Sequence, residues 1–186
     1  MNATTGIYFG TDTGRTRRIA KLIAQKLGER AQAPLNINRA AIEDFLAHEV
    51  LILGTPTYGE GELPGLATGL AQESWAEFLP RLQGRDMSRQ TVALFGLGDQ
   101  DKYGSEFVDA LLPVYEAVTQ CGARVIGTWP VTGYDFKASQ ALVGERFVGL
   151  ALDQINQPAL SEARVDAWLR QLDDELQTLE RHHAHT

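Results

Sequence analysis

The 186-residue sequence has one cysteine, Cys121, so no disulfide can form within the chain. It has no apolar run long enough to span a bilayer. Its N-terminus lacks the basic and apolar stretches of a secretory signal, so a cytoplasmic protein without membrane insertion is expected. Cations are the minority charge: 17 Lys and Arg stand against 24 Asp and Glu, a formal charge of -7. That balance argues against a nucleic-acid partner, whose phosphates are met by cations, and favours partners with basic faces. Histidine is scarce, and three of the four (His182, His183 and His185) follow the last apolar-periodic residue. A frayed tail over 181–186 is expected there rather than a metal site. The remainder is 44% hydrophobic, without repeats, low-complexity stretches or a linker, so residues 1–180 read as a single domain with a sizeable core.

Strand and helix signals alternate along the chain. Gly6-Ile7-Tyr8-Phe9 is a short apolar run. A helix opens at Thr13 or Gly14, with Ile19, Leu22, Ile23 and Leu27 at helical spacing and Gly28 near its end. Leu35 to Asn38 reads as a weak alternating strand. Val50 to Gly54, Thr91 to Gly96 and Val125 to Trp129 read as strands buried on both faces. Helical stripes run through Trp75, Phe78, Leu79 and Leu82; through Phe107, Val108, Leu111, Leu112, Tyr115 and Val118; and through Val165, Trp168, Leu169, Leu172, Leu176 and Leu179. Cys121 sits at the expected end of the second stripe, with Gly122 as its C-cap. Strands alternating with helices predict an α/β fold: a five-stranded parallel sheet, doubly wound and covered on both faces. Two segments exceed that plan, the glycine-rich 60–68 and the long 130–157 before a last helix near Ser161. The second contains Phe147 to Leu152, a further strand candidate, and its length marks an insertion or a functional segment.

Ligands of an open parallel sheet bind beyond the carboxyl ends of its strands, and three of those ends carry unusual loops. After the first strand, GTDTGRT offers the hydroxyls of Thr11, Thr13 and Thr16, with Asp12, Gly14 and Arg15, at a helix start whose unpaired N–H groups suit an anion. The competing reading makes Thr13 a helix cap and the other threonines turn residues. The loop lacks a Walker lysine and no GxGxxG follows the strand, so a hydrolysed nucleoside triphosphate and a dinucleotide both fit poorly. A phospho-receiver domain needs an acidic pair where Phe9-Gly10-Thr11 stands and a lysine where Trp129-Pro130 stands. After the third strand come Thr55, Pro56, Thr57 and an aromatic, Tyr58, followed by Gly59 and Gly61. After the fourth come Leu97, Gly98, Asp99 and a second aromatic, Tyr103. Two rings flanking one crevice would sandwich a planar ring system. Asp99 either accepts hydrogen bonds from ring N–H groups or ends the strand as a turn residue. The ligand described is a planar heterocycle on a chain ending in phosphate, which flavin mononucleotide (FMN) fits. No nucleophile–base pair stands near these loops, so no catalytic residues are expected.

Over nearly its whole length the chain resembles the flavodoxins. T-D-T-G-R-T is similar to their FMN-phosphate loop, T-P-T-Y-G-E-G-E-L to their second flavin loop and G-L-G-D-Q-D-K-Y to their third. G-T-W-P-V-T-G-Y-D-F with F-V-G-L-A-L-D-x-x-N-Q resembles the insertion that splits the fifth strand in long-chain members. The resemblance implies strand order 2-1-3-4-5. It implies phosphate contacts from Thr11 to Thr16, Tyr103 on the outer flavin face, Tyr58 on the inner face, and Gly98 and Asp99 at the pyrimidine edge. Leu97 stands where many members have Thr, so only backbone contacts are implied there. The implied protein is a monomeric, low-potential one-electron carrier without substrate chemistry, fed by a reductase donor and emptied by a redox acceptor protein. GEGELPGL and ESWAEFLP further resemble the flavodoxins of nitrogen-fixing bacteria, which implies the nitrogenase iron protein as acceptor. The rival is an FMN-dependent quinone or NAD(P)H oxidoreductase of the same winding, which needs room for a second substrate where Tyr103 is expected to cap the flavin.

Overall fold

The apolar runs form one parallel sheet in the computed structural model, which describes residues 4–10 and 13–184. β1 (Gly6–Phe9) lies between β2 (Leu35–Asn36) and β3 (Val50–Pro56). β4 (Thr91–Leu97) follows β3 in register from Val50↔Thr91 to Pro56↔Leu97. The fifth position is shared. β5 (Arg124–Ile126) pairs with the first half of β4, and a later strand, Leu150–Leu152, pairs with the second half. The order is thus 2-1-3-4-5 with a divided last strand.

Period-2 alternation sends neighbouring strand residues to opposite faces, and helices cover both. On one face, Ile19, Ala20 and Ile23 of α1 (Arg15–Leu27) and Val165, Trp168, Leu169 and Leu172 of α5 (Ser161–His183) pack with Ile7, Phe9, Ile52 and Phe95. On the other, Phe45 of α2 (Ile42–Ala47), Trp75 and Phe78 of α3 (Trp75–Phe78), and Val114 and Val118 of α4 (Leu111–Gln120) pack with Tyr8, Leu51, Leu53 and Leu94. Each large apolar side chain so buried contributes about 1.5–3 kcal/mol. The two helices of the first face are also tied to each other: Lys26 of α1 meets Glu162 and Asp166 of α5 at 3.0 and 2.7 Å, and Arg30, just after α1, meets Asp173 of α5 at 2.8 Å.

The strand expected over Val125 to Trp129 breaks at Gly127, whose φ is 79°. A Cβ there would stand 2.6 Å from Leu172 and 2.8 Å from Trp168 Nε1, while Trp168 Nε1 donates to the Gly127 carbonyl at 2.9 Å. The chain therefore leaves the sheet. It builds a small antiparallel sheet of β6 (Trp129–Pro130), β8 (Arg146–Phe147) and β7 (Leu142–Val143), then re-enters as β9 (Leu150–Leu152). Ile126 pairs with Ala93 and Leu150 with Phe95, so the two halves lie end to end along β4. The inserted segment roofs Phe107 with the rings of Phe136, Tyr134 and Phe147 at 5.4, 5.7 and 5.8 Å.

Several boundaries differ from the sequence reading. The stripe starting at Phe107 becomes helical only at Leu111: Val108 has φ 51°, outside any right-handed helix, and Pro113 is suited to a first turn. The Trp75–Leu82 stripe is one short α-helix continued as a 3-10 turn through Pro80. The strand from Leu35 stops at Asn36, whose side chain accepts from Asn38 N–H at 3.2 Å and starts a 3-10 turn. In the tail expected over 181–186, α5 runs to His183, with Nδ1 of His182 and His183 against the carbonyls of Thr178 and Leu179 at 2.6 and 2.8 Å, and residues 185 and 186 lie outside the described residues. Among the described residues no helix is long and apolar enough to cross a membrane.

Candidate functional site

The carboxyl ends of β1, β3, β4 and β9 open into one cleft of about 200 Å³. Thr13, Arg15 and Thr16 line it from the first loop. Gly14, at φ 86°, forms the N-cap bend of α1 rather than the wall, and Thr11 and Asp12 lie outside the described residues. Among the described residues the start of α1 has no side-chain cap hydrogen bond, and its first turn carries no acid. Arg15, Arg17, Arg18 and Lys21 follow, and among the described residues none of the four enters an ion pair. Cations at a helix N-terminus oppose the dipole, whereas an anion there is doubly favoured.

Pro56, Thr57, Tyr58 and Gly59 form the second wall. Thr55 is buried behind it, its hydroxyl donating to the Pro56 carbonyl at 2.9 Å. The Tyr58 carbonyl accepts from the N–H groups of Gly61 and Glu62 at 3.0 and 2.7 Å, and Tyr58 N–H donates to Glu62 at 2.9 Å. Gly59 and Gly61 take φ of 47° and 94° in this tight turn. Gly61 does not reach the cleft. It packs on Asp109, where an added Cβ would lie 2.9 Å from the carboxylate. Burial raises the Asp109 carboxyl above its ordinary pKa, and the nearby Glu106 adds to the shift.

Leu97, Gly98, Asp99 and Tyr103 make the third wall. Asp99 is committed to its own loop. Its Oδ1 accepts from Asp101 N–H at 3.2 Å, Lys102 N–H at 2.9 Å and the Asn156 amide at 2.9 Å. Partial burial alone would raise its pKa; these hydrogen bonds outweigh that and hold it below the ordinary carboxylate value. Asp99 Oδ1 thus serves its own turn, while Asp99 also lines the cleft. Tyr103 is 40% exposed at the mouth, its ring 5.1 Å from Lys102 Nζ. Among the described residues no cluster of His, Cys, Asp and Glu is arranged to hold a metal ion.

A sequence profile of the Flavodoxin family matches residues 7–168. The chain belongs to the flavodoxin family. A flavodoxin of Klebsiella pneumoniae is 54% identical over 170 residues, covering 91% of this chain and 97% of the relative. Flavodoxin 1 of Escherichia coli (strain K12) is 42% identical over 175 residues, covering 94% and 95%. A solved flavodoxin of Fusobacterium nucleatum bound to flavin mononucleotide has a TM-score of 0.83 at 31% identity, covering 93% of this chain and 98% of that one.

The cleft of this flavodoxin has a fourth wall that motif reading missed. Gln154 and Ile155 follow β9, and Glu106 closes the side near Tyr103. The signal was available: β9 is the true carboxyl end of the fifth strand, and the strand-end rule that picked out the other loops applies to it equally. The second half of the fifth strand was a strand candidate in the sequence, but only the loops after the first, third and fourth strands were read as walls.

Proposed function

We propose that the four-walled cleft holds FMN and that this protein is a low-potential carrier delivering electrons to the nitrogenase iron protein. By family it is an FMN-dependent electron carrier that accepts from and donates to redox partners, and it converts no substrate of its own. One observation carries the placement: two threonine hydroxyls, the first residues of α1 and two tyrosines from separate strand ends line the same cleft. Bound FMN supplies one-electron transfer in either direction. In this reading the hydroxyls of Thr13 and Thr16 and the first N–H groups of α1 hold the phosphate, with no lysine needed because the phosphate is never transferred. Tyr58 and Tyr103 cover the ring faces, and their apolar cover amid carboxylates disfavours added negative charge. The bonds already made by Asp99 leave backbone groups at Gly98 and Asp99 to meet the pyrimidine edge.

The cleft leaves Tyr103 and Ile155 40% and 49% exposed, which suits a cofactor whose edge must reach a partner. The divided fifth strand supports a long-chain assignment, and two cores on opposite faces of one sheet support a single domain. The nitrogenase assignment is supported by the GEGELPGL and ESWAEFLP segments. Titration of apoprotein with FMN, riboflavin and a flavin dinucleotide should rank FMN first; equal affinity for riboflavin removes the phosphate site. The reduced protein should sustain acetylene reduction through the nitrogenase iron protein, and should not turn over NADH with a quinone. Failure with the iron protein alongside success with another acceptor sinks the nitrogenase role and leaves the carrier.

A further inference from the structure

The loop after β9 is fastened to the loop that carries Tyr103 by two side chains, Asp153 and Asn156. The Asp153 carboxylate is fully buried. Oδ1 accepts from the N–H groups of Ile155 and Asn156 at 3.0 and 2.8 Å, shaping its own loop. Oδ2 accepts from Gln100 N–H at 3.0 Å and from the Asn156 amide at 2.9 Å. The same Asn156 amide donates to Asp99 Oδ1, and Asp99 in turn accepts from Tyr103 N–H through its carbonyl at 2.9 Å. Gln100, itself 5% exposed, passes the link on by accepting from Asp135 N–H in the insertion. A buried carboxylate whose bonds all come from donors is costly to disturb, because any lost partner leaves a desolvated acceptor.

We propose that Asp153, with Asn156, is a positioning residue for the cofactor: it fixes the Asp99–Tyr103 loop against the cleft and so sets how closely Tyr103 covers the ring. This rests on the FMN reading of the cleft. Neither residue lines the cleft, so any effect on the cofactor must pass through the loops they join. The chemistry of the clamp predicts what an isosteric change does. In Asp153→Asn one oxygen becomes an NH2 group. Keeping the oxygen toward Ile155 and Asn156 preserves the local turn and sets the NH2 against Gln100 N–H and the Asn156 amide, which breaks the link between the loops. Asn156→Ala removes the bridge to Asp99 and one donor to Asp153 Oδ2 but keeps the bond from Gln100 N–H; its side chain is exposed, so this variant keeps its fold even should Asp153→Asn fail to.

The test is a double-mutant cycle with Tyr103→Ala, read by FMN dissociation constant, by the two one-electron potentials, and by amide hydrogen exchange of residues 99–104 in FMN-free protein. In the Tyr103 background each clamp variant should raise the FMN dissociation constant by roughly threefold to thirtyfold, within the range of couplings between side chains sharing one network. It should also make the second reduction easier and speed exchange in the 99–104 loop. In the Tyr103→Ala background the same change should leave affinity and potentials where Tyr103→Ala alone puts them. Equal losses in both backgrounds, or no loss in the first, overturn the proposal. Wild-type protein that takes up no FMN fails the cofactor reading itself, a separate outcome.

Discussion

Thr16 is 1% exposed and lines the cleft. Thr16→Val keeps the shape and removes the donor. A hydrogen bond to a charged group is worth roughly 1.5–3 kcal/mol, so FMN affinity should fall about tenfold or more while riboflavin affinity holds. Equal losses for both ligands would make the hydroxyl a packing contact. Asp109 gives a pH prediction. Its carboxyl is raised in the native protein, so between the ordinary aspartate range and its raised value the native state keeps a proton that the unfolded chain has lost. The native state then binds more protons, and stability falls as pH rises through that window. Urea unfolding of Asp109→Asn against wild type should show the wild-type loss with rising pH flattened in the variant. The same slope in both would remove Asp109 as its source. The Thr55, Gly14 and Gly61 assignments show what residue types alone conceal: all three belong to the right loops, but only backbone geometry tells which members face the cleft and which support it.

At the scale of elements, the buried strands were legible because runs such as Leu51-Ile52-Leu53 are apolar on both faces, and α5 because its stripe holds through Leu172. What was hidden had a physical cause each time. α2 is a six-residue helix with one fully buried side chain, so it carries no periodic signal, and the weak strand read over Leu35 to Asn38 gives no hint that it stops after two residues at the sheet edge. The split of the fifth strand was expected from the resemblance of the segment after Gly127, but its exact place was not, because it turns on the backbone of Gly127, where an apolar pattern carries straight on. Gly127→Val should cost about 2–4 kcal/mol, combining a left-handed backbone penalty with overpacking against Trp168 and Leu172. A urea midpoint unchanged from wild type would mean that the exit from the sheet is set elsewhere.

For the whole molecule, charge is unevenly shared. The net charge is -7, yet the first two turns of α1 carry Arg15, Arg17, Arg18 and Lys21 beside the cleft. Docking to a basic partner should therefore be orientation-selective and salt-sensitive, with the electron-transfer rate falling as ionic strength rises. Stopped-flow rates flat from low to high salt would rule out steering. The end-to-end halves of the fifth strand have a further consequence. Ile126 and Leu150 face Ala93 and Phe95, so a single residue opposite Leu94 would splice them into one unbroken strand. Excising residues 128–149 leaves Gly127 at that position, and side-chain parity across the junction is preserved. The insertion is thus a graft onto a sheet that can close without it. The graft's debt is the ring of Phe107, which the excision would strip of Phe136, Tyr134 and Phe147. Such a shortened chain should keep its sheet but bare an apolar patch over α4, and a polar residue in place of Phe107 should restore its solubility.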